Sequence, residues 1–305
     1  MRRLGEFILS GRLQALVVTS LLTVAGLLLP FLSYLSGGVA PALVTLRKGA
    51  AAGLQVVIGS LVLTAVFTLL AGFNPQIVIA VVIGIWLPVW FCANVLRVTA
   101  SQGQLVVAAG MCSLLYILLT HLILGNVTEW WNNWLTLWLD QVLEEDKRAL
   151  YQDMLTTASP LMNAMTAAGL FISLVTTLLV ARWWQAALYN PGGFRKEFHV
   201  LCLPRGLMVA VIAGIVMVFL DMAGPGSLAL DILLLLIFLY LFQGLAVIHR
   251  TVVTRKMAPG WLIGMYMLLF VVPQAILFLA CLGMVDSWLV RPSTGGGSND
   301  NSGLS

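Results

Sequence analysis

Charge is what this chain has least of. Asp, Glu, Lys and Arg make up 9% of its 305 residues, while 60% are hydrophobic and the mean hydropathy is +1.00. That balance excludes a water-soluble domain of ordinary composition. Cysteine is scarce too: Cys92, Cys112, Cys202 and Cys281 are isolated in the sequence, each in or beside an apolar run. They read as small hydrophobic residues, not as a disulfide framework or a metal knuckle. The three histidines, His121, His199 and His249, are scattered, and no HExxH, GxSxG or CxxC pattern occurs. No GxxxxGK[ST] loop occurs either, so the chain brings no P-loop ATPase of its own. These absences argue against a hydrolase, a metalloenzyme or a nucleotide-driven pump in one chain. No enzyme activity, cofactor, metal or nucleic-acid partner is expected.

Long apolar runs fill the space that charge leaves. A bilayer core of roughly 30 Å needs about 20 apolar residues per helix. Gly49 to Ala71, Gln76 to Leu96, Gln104 to Leu124, Pro160 to Ala181, Ser227 to Ile248 and Gly260 to Leu282 reach that length. Gly206 to Leu220 is shorter, and Asp221 closes it. Met1-Arg2-Arg3 and the apolar run after it read as a retained first helix rather than a cleaved leader.

Basic residues set the expected path. If Leu13 to Leu29 goes out and Phe31 to Leu46 returns around Pro30, thirteen of the sixteen Lys and Arg residues fall on one side. Only Lys147, Arg148 and Arg291 fall on the other. The cytoplasmic bias of basic residues then favours nine spans, with the N-terminus inside and the C-terminus outside. A re-entrant course for residues 31–46 is the alternative, because Ser36, Gly37, Gly38 and Pro41 weaken that helix. The expected fold is an all-α, polytopic transmembrane helical bundle of eight to nine spans. It forms one integral membrane domain over 1–292, with a Gly/Ser/Asn-rich disordered tail over 293–305.

Two segments stand outside the runs. Residues 126–159 form an outer insert in which Trp131, Trp134, Leu135, Trp138 and Val142 recur at helical spacing, opposite Asp140, Glu144, Glu145 and Asp146. It reads as an amphipathic helix lying on the outer surface. A lid or aromatic platform built from Trp130, Trp131 and Trp134 is the functional alternative to interfacial anchoring. Residues 182–205 form an inner loop: Asn190-Pro191-Gly192-Gly193 is a turn signal, and Phe194, Phe198 and Leu201 follow on one face beside Arg195 and Lys196. This basic amphipathic helix suits either the anionic lipid surface or a docking partner.

Polar groups at membrane depth are the remaining candidates, because burying them is costly. Asp221 and Asp231 flank one short outer turn, and the simplest reading lets both reach headgroup water. Gln243 lies well inside its span and is expected to hydrogen-bond a neighbouring helix, as is Asn163. Small residues recur four apart at Gly49/Gly53, Ala109/Ser113, Ala164/Ala168 and Ala210/Gly214, allowing close helix contact.

Asn190-Pro191-Gly192-Gly193-Phe194 with Glu197-Phe198 and Leu201, then Phe242-Gln243-Gly244-Leu245-Ala246-Val247-Ile248-His249, resemble the YybS-like proteins, an uncharacterised bacterial membrane family. Pro30, Leu46-Arg47-Lys48-Gly49 and Gly283-x-x-Asp286-x-Trp288-x-x-Arg291 fit the same pattern. That family is similar to the S components of energy-coupling-factor (ECF) transporters. The resemblance implies a bacterial cytoplasmic membrane protein with an outward ligand cavity, borrowing ATPases and a coupling membrane subunit. A cavity of this kind is expected to draw on Trp130, Trp131, Trp134, Asp231 and Gln243. The chain departs from S components in its greater length and its Trp-rich insert, and none of their ligand-binding motifs is found. A scaffold or regulator that docks a partner through 190–205 is the second expectation. An intramembrane enzyme using Asp221 and Asp231 is the third.

Overall fold

The computed structural model describes residues 2–28, 38–70, 72, 74, 76–142 and 145–289. Among them all regular structure is helical. The helices are α1 (Arg2–Ser10), α2 (Arg12–Leu28), α3 (Val39–Lys48), α4 (Ala50–Leu70), α5 (Gln76–Val81) and α6 (Leu87–Thr99). They continue with α7 (Gln102–Leu124), α8 (Val127–Val142), α9 (Glu145–Tyr189), α10 (Gly193–His199), α11 (Gly206–Phe219), α12 (Leu228–Thr254), α13 (Gly260–Val271) and α14 (Ala275–Leu289). A π-turn over Val82–Trp86 joins α5 to α6. Pro30, Glu144, Arg291 and the tail 293–305 lie outside the described residues.

Among the described residues, five segments are long and apolar enough to cross a bilayer: α4, the joined α5–α6, α7, Tyr151–Tyr189 of α9, and α12. The pair α1–α2 passes the same test together but is bent by 120° at Gly11. The helices α11, α13 and α14 are apolar but shorter. Gly260 to Leu282 is therefore not one continuous helix. Pro273 disfavours helical backbone at the residue before it, and Val272 is extended, with φ −123 and ψ 90. The expected return span over 31–46 is described only in its second half, where α3 is buried from Val39 to Leu46.

Helices α9 and α12 form the spine. The 45 residues of α9 rise about 68 Å at roughly 1.5 Å each, twice the thickness of a bilayer core. Pro160 lies inside it, where the missing N–H would leave the Thr156 carbonyl unpaired. The Ser159 hydroxyl donates to that carbonyl at 3.4 Å. The helix runs on past Arg182 to Tyr189, so the connection to α10 is shorter than expected. The buried line of α8 is Val127, Trp131, Leu135 and Leu139, with Val127 and Leu139 fully buried against the first half of α9. Trp130 and Trp134 are exposed, and Trp138, half-exposed, borders a cavity of about 410 Å³ between α8 and α9.

Small residues set the closest approaches. Ala109, Ser113, Ala164 and Ala168 are buried in the core, and a side chain at Gly53 would overlap Thr45 of α3. The tightest crossing is between α12 and α14. A Cβ at Gly244 would overlap the Leu279 carbonyl oxygen, and one at Gly283 would overlap that of Tyr240. Cys92 and Cys112 are not isolated in space: their sulfurs are 3.9 Å apart across α6 and α7.

Candidate functional site

Two polar clusters interrupt the apolar interior at opposite ends of α12. Asp231 and Gln243 are twelve residues apart on this helix, a rise of about 18 Å, so they cannot line one small pocket together.

The first cluster is centred on Asp231. Ser227 caps α12 by accepting the Leu230 N–H at 3.3 Å, which fixes Asp231 in the first turn, where the helix dipole favours a negative charge. Asp231 is 1% exposed and does not reach headgroup water, contrary to the sequence expectation. Asn163 of α9 donates through Nδ2 to Asp231 Oδ2 at 2.6 Å, and His121 Nε2 of α7 lies 2.9 Å from the same oxygen. Three helices thus converge on one carboxylate oxygen. The other oxygen, Asp231 Oδ1, is buried without a hydrogen-bond partner, and so is Asn163 Oδ1. A buried acceptor left unpaired costs about 1–3 kcal/mol. Asp221, by contrast, is exposed and holds a left-handed backbone with φ 57.

A polar cavity of about 390 Å³ lies one turn along α9 from Asn163. Asn126, Thr128, Glu129, Asn132, Thr156 and Ser159 line it. The turn at Gly226 closes against its wall: Gly226 has φ 82, and a side chain there would overlap the Thr128 hydroxyl. Trp130, Trp131 and Trp134 form a run of edge-to-face contacts along α8, with ring centroids 5.0 and 5.7 Å apart. Trp131 faces the α8–α9 seam, while Trp130 and Trp134 point away from it.

The second cluster is centred on Asp286 of α14. Gln243 donates through Nε2 to Asp286 Oδ2 at 3.0 Å and accepts the Leu203 N–H at 3.1 Å. Arg250 pairs with Asp286 Oδ1 and donates to the His199 carbonyl at 3.2 Å. Arg205 donates to the carbonyls of Ser287 and Trp288 at 3.3 and 3.0 Å, satisfying the last turn of α14. Gln243, Gly244, Gly283 and Asp286, scattered through the sequence pattern, therefore form one junction. Gln243 bonds a neighbouring helix, as its position suggested. The partners Arg250 and Arg205 were missed, because no local period links an arginine on α12, or one just before α11, to the end of α14.

The 190–193 turn feeds this junction. Gly193 N–H bonds to the Asn190 carbonyl at 3.0 Å, and Gly192 takes φ 85, a left-handed conformation that glycine adopts without penalty. Phe194 and Phe198 stack at 6.0 Å, and Phe198 meets the His249 ring edge-on at 5.3 Å. Glu197 pairs with Arg182, and Gln102 Nε2 donates to the Phe194 carbonyl at 3.3 Å. Phe198 and Leu201 are buried, so the apolar face of α10 packs on its own bundle; Arg195 and Lys196 remain exposed. Burial, with the charge of Arg195 and the proximity of His249 and Arg250, holds the His199 imidazole below its usual pKa.

The chain matches the DUF2232 family of predicted membrane proteins over residues 17–287, and it belongs to that family. No curated protein and no solved structure matches it.

Proposed function

We propose that this membrane protein captures a small molecule at the Asp231 end of the bundle, in the manner of an S component that borrows its ATPases and coupling subunit. One observation carries the reading. Asp231 Oδ1 and Asn163 Oδ1 are buried acceptors with no partner, and an open polar groove of about 390 Å³ reaches Ser159, one turn along α9 from Asn163. That volume falls within the range of roughly 300–1,000 Å³ that holds small ligands. Acceptors left open call for donors, so the ligand is cationic or rich in N–H and O–H groups. Glu129 in the cavity wall adds a second negative group. The expected path of the chain, with nine crossings in a bacterial cytoplasmic membrane and an inner N-terminus, would place this end outside. Reporter fusions after Lys48 and after Arg255 on opposite sides would overturn that path. The expected outer amphipathic helix then becomes one arm of the α8–α9 hairpin.

Purification in mild detergent, followed by mass spectrometry of retained small molecules, tests the capture. Wild type is expected to retain a donor-rich compound that Asp231→Asn loses. Equal retention by both proteins, or none by either, would sink the proposal.

A scaffold that docks a partner through 190–205 is the second reading. The exposed Arg195 and Lys196 favour it, and Phe194 and Phe198, though largely packed on the bundle, line an open cavity of about 650 Å³ beside them. Site-specific crosslinking from Lys196 separates the two. A reproducible membrane partner that persists in Asp231→Asn would favour the scaffold.

A further inference from the structure

We infer that the groove between α12, α13 and α14 holds the hydrocarbon chain of an anionic phospholipid, whose headgroup rests on Arg255 and Lys256. Helix α13 has no buried residue, although all of its turns are apolar. It stands off the bundle and leaves a cavity of about 680 Å³ against α12 and α14. Val252, Met257, Trp261, Met265, Leu268 and Phe278 are among its walls. The hydroxyl in that wall, Thr251 Oγ1, already donates to the Val247 carbonyl at 2.8 Å, so the groove, lined almost wholly by apolar groups, offers water little to bind. An apolar cavity of about 150 Å³ stays dry and takes up benzene. One several times larger, facing a bilayer, fills with a lipid chain.

Charge selects which lipid. Thr251 and Val252 line the groove, and Arg255 and Lys256 each follow one of them by one turn, which places both cations at its mouth. Both are exposed, and neither takes part in the ion pairs found among the described residues, which are His121–Asp231, Arg182–Glu197 and Arg250–Asp286. Lys256 also takes φ 52, a left-handed conformation in which glycine would be less strained. The chain closes α12 there with bonds from Lys256 N–H to the Val253 carbonyl and from Met257 N–H to that of Val252. Two adjacent unpaired cations beside a dry channel match a phosphate headgroup with a chain attached.

Trp261 in the wall supplies the probe. The protein is reconstituted in vesicles that contain either brominated-chain phosphatidylglycerol or phosphatidylcholine with the same chains. The share of fluorescence lost on Trp261→Phe gives the Trp261 signal. Phosphatidylglycerol is expected to quench that signal at a several-fold lower mole fraction than phosphatidylcholine. Arg255→Gln with Lys256→Gln should merge the two curves, and Gly264→Leu, which narrows the groove, should weaken quenching by both lipids. Identical curves in the wild type would mean that ordinary boundary lipid covers the groove, which overturns the proposal. A Trp261 signal that neither lipid quenches, together with a dimer mass in native spectrometry, would assign the groove to a second copy and overturn it as well. The surface location of Arg255 and Lys256 keeps the double variant foldable.

Discussion

Asn163 and Asp231 lie 68 positions apart in the chain, yet the amide of one donates to the carboxylate of the other at 2.6 Å, with both side chains only 1% exposed. This bond fastens α9 to the first turn of α12. Asp231→Ala would strand the donors Asn163 Nδ2 and His121 in an apolar site. We expect a loss of about 1–3 kcal/mol in stability. Asp231→Asn, which keeps the shape, should lose less. Unfolding in mixed micelles measures both variants, and a smaller loss for Ala than for Asn would contradict the assignment.

Arg250 and Asp286 make the corresponding test at the other end. Arg250→Ala leaves a nearly buried carboxylate without its charge partner, so a cost of about 3–5 kcal/mol is expected, less the share that solvent screens at the half-exposed guanidinium. The double variant Arg250→Ala/Asp286→Ala should cost less than the sum of its singles, because the stranded charge has gone. Additive losses would show that the pair is not coupled.

Gly244 and Gly169 should respond to alanine with opposite signs. At Gly244 the new methyl would meet the backbone of Leu279, which cannot swing aside; overpacking of this kind costs about 1–3 kcal/mol. At Gly169, inside α9, nothing lies within 4 Å, and alanine should stabilise the helix by about 0.5–1 kcal/mol. Thermal scans of the two variants read the difference. Equal effects would refute the close α12–α14 crossing.

His199 gives a pH dependence. Its folded pKa lies below the ordinary histidine value, so the folded state resists protonation while the unfolded chain accepts it. Sign follows from proton linkage: the unfolded state binds more protons, and stability falls as pH drops below the ordinary histidine pKa. The apparent Tm of the wild type should therefore fall more between neutral pH and pH of about 5.5 than that of His199→Asn, a window set by the unperturbed value near 6.5. A parallel fall in both proteins would contradict it.

The helical class and several of the helices could be read from composition and run length, since bilayer thickness sets both. The depth of Gln243 also foretold its role as a link between helices. What could not be read is instructive. Asp231 looked like a residue near a helix end and within reach of water, because its burial depends on Asn163 and His121, which arrive from distant parts of the chain. Trp138 borders the α8–α9 cavity while Trp130 and Trp134 are exposed, since tryptophans at nearly every turn leave the buried face undetermined by periodicity alone. The break at Val272–Pro273 had a local signal, and unbroken hydropathy on either side concealed it.

One rod links the Asp231 cluster to the 190–193 turn. Helix α9 carries Asn163 near one end of the bundle and Arg182, the partner of Glu197, near the other. An α-helix hardly shortens under load, so a tilt imposed where Asn163 grips Asp231 must be delivered almost undiminished to the 190–193 turn. The backbone that carries Asn163 at one end of the bundle would then act as a lever on α10 at the other.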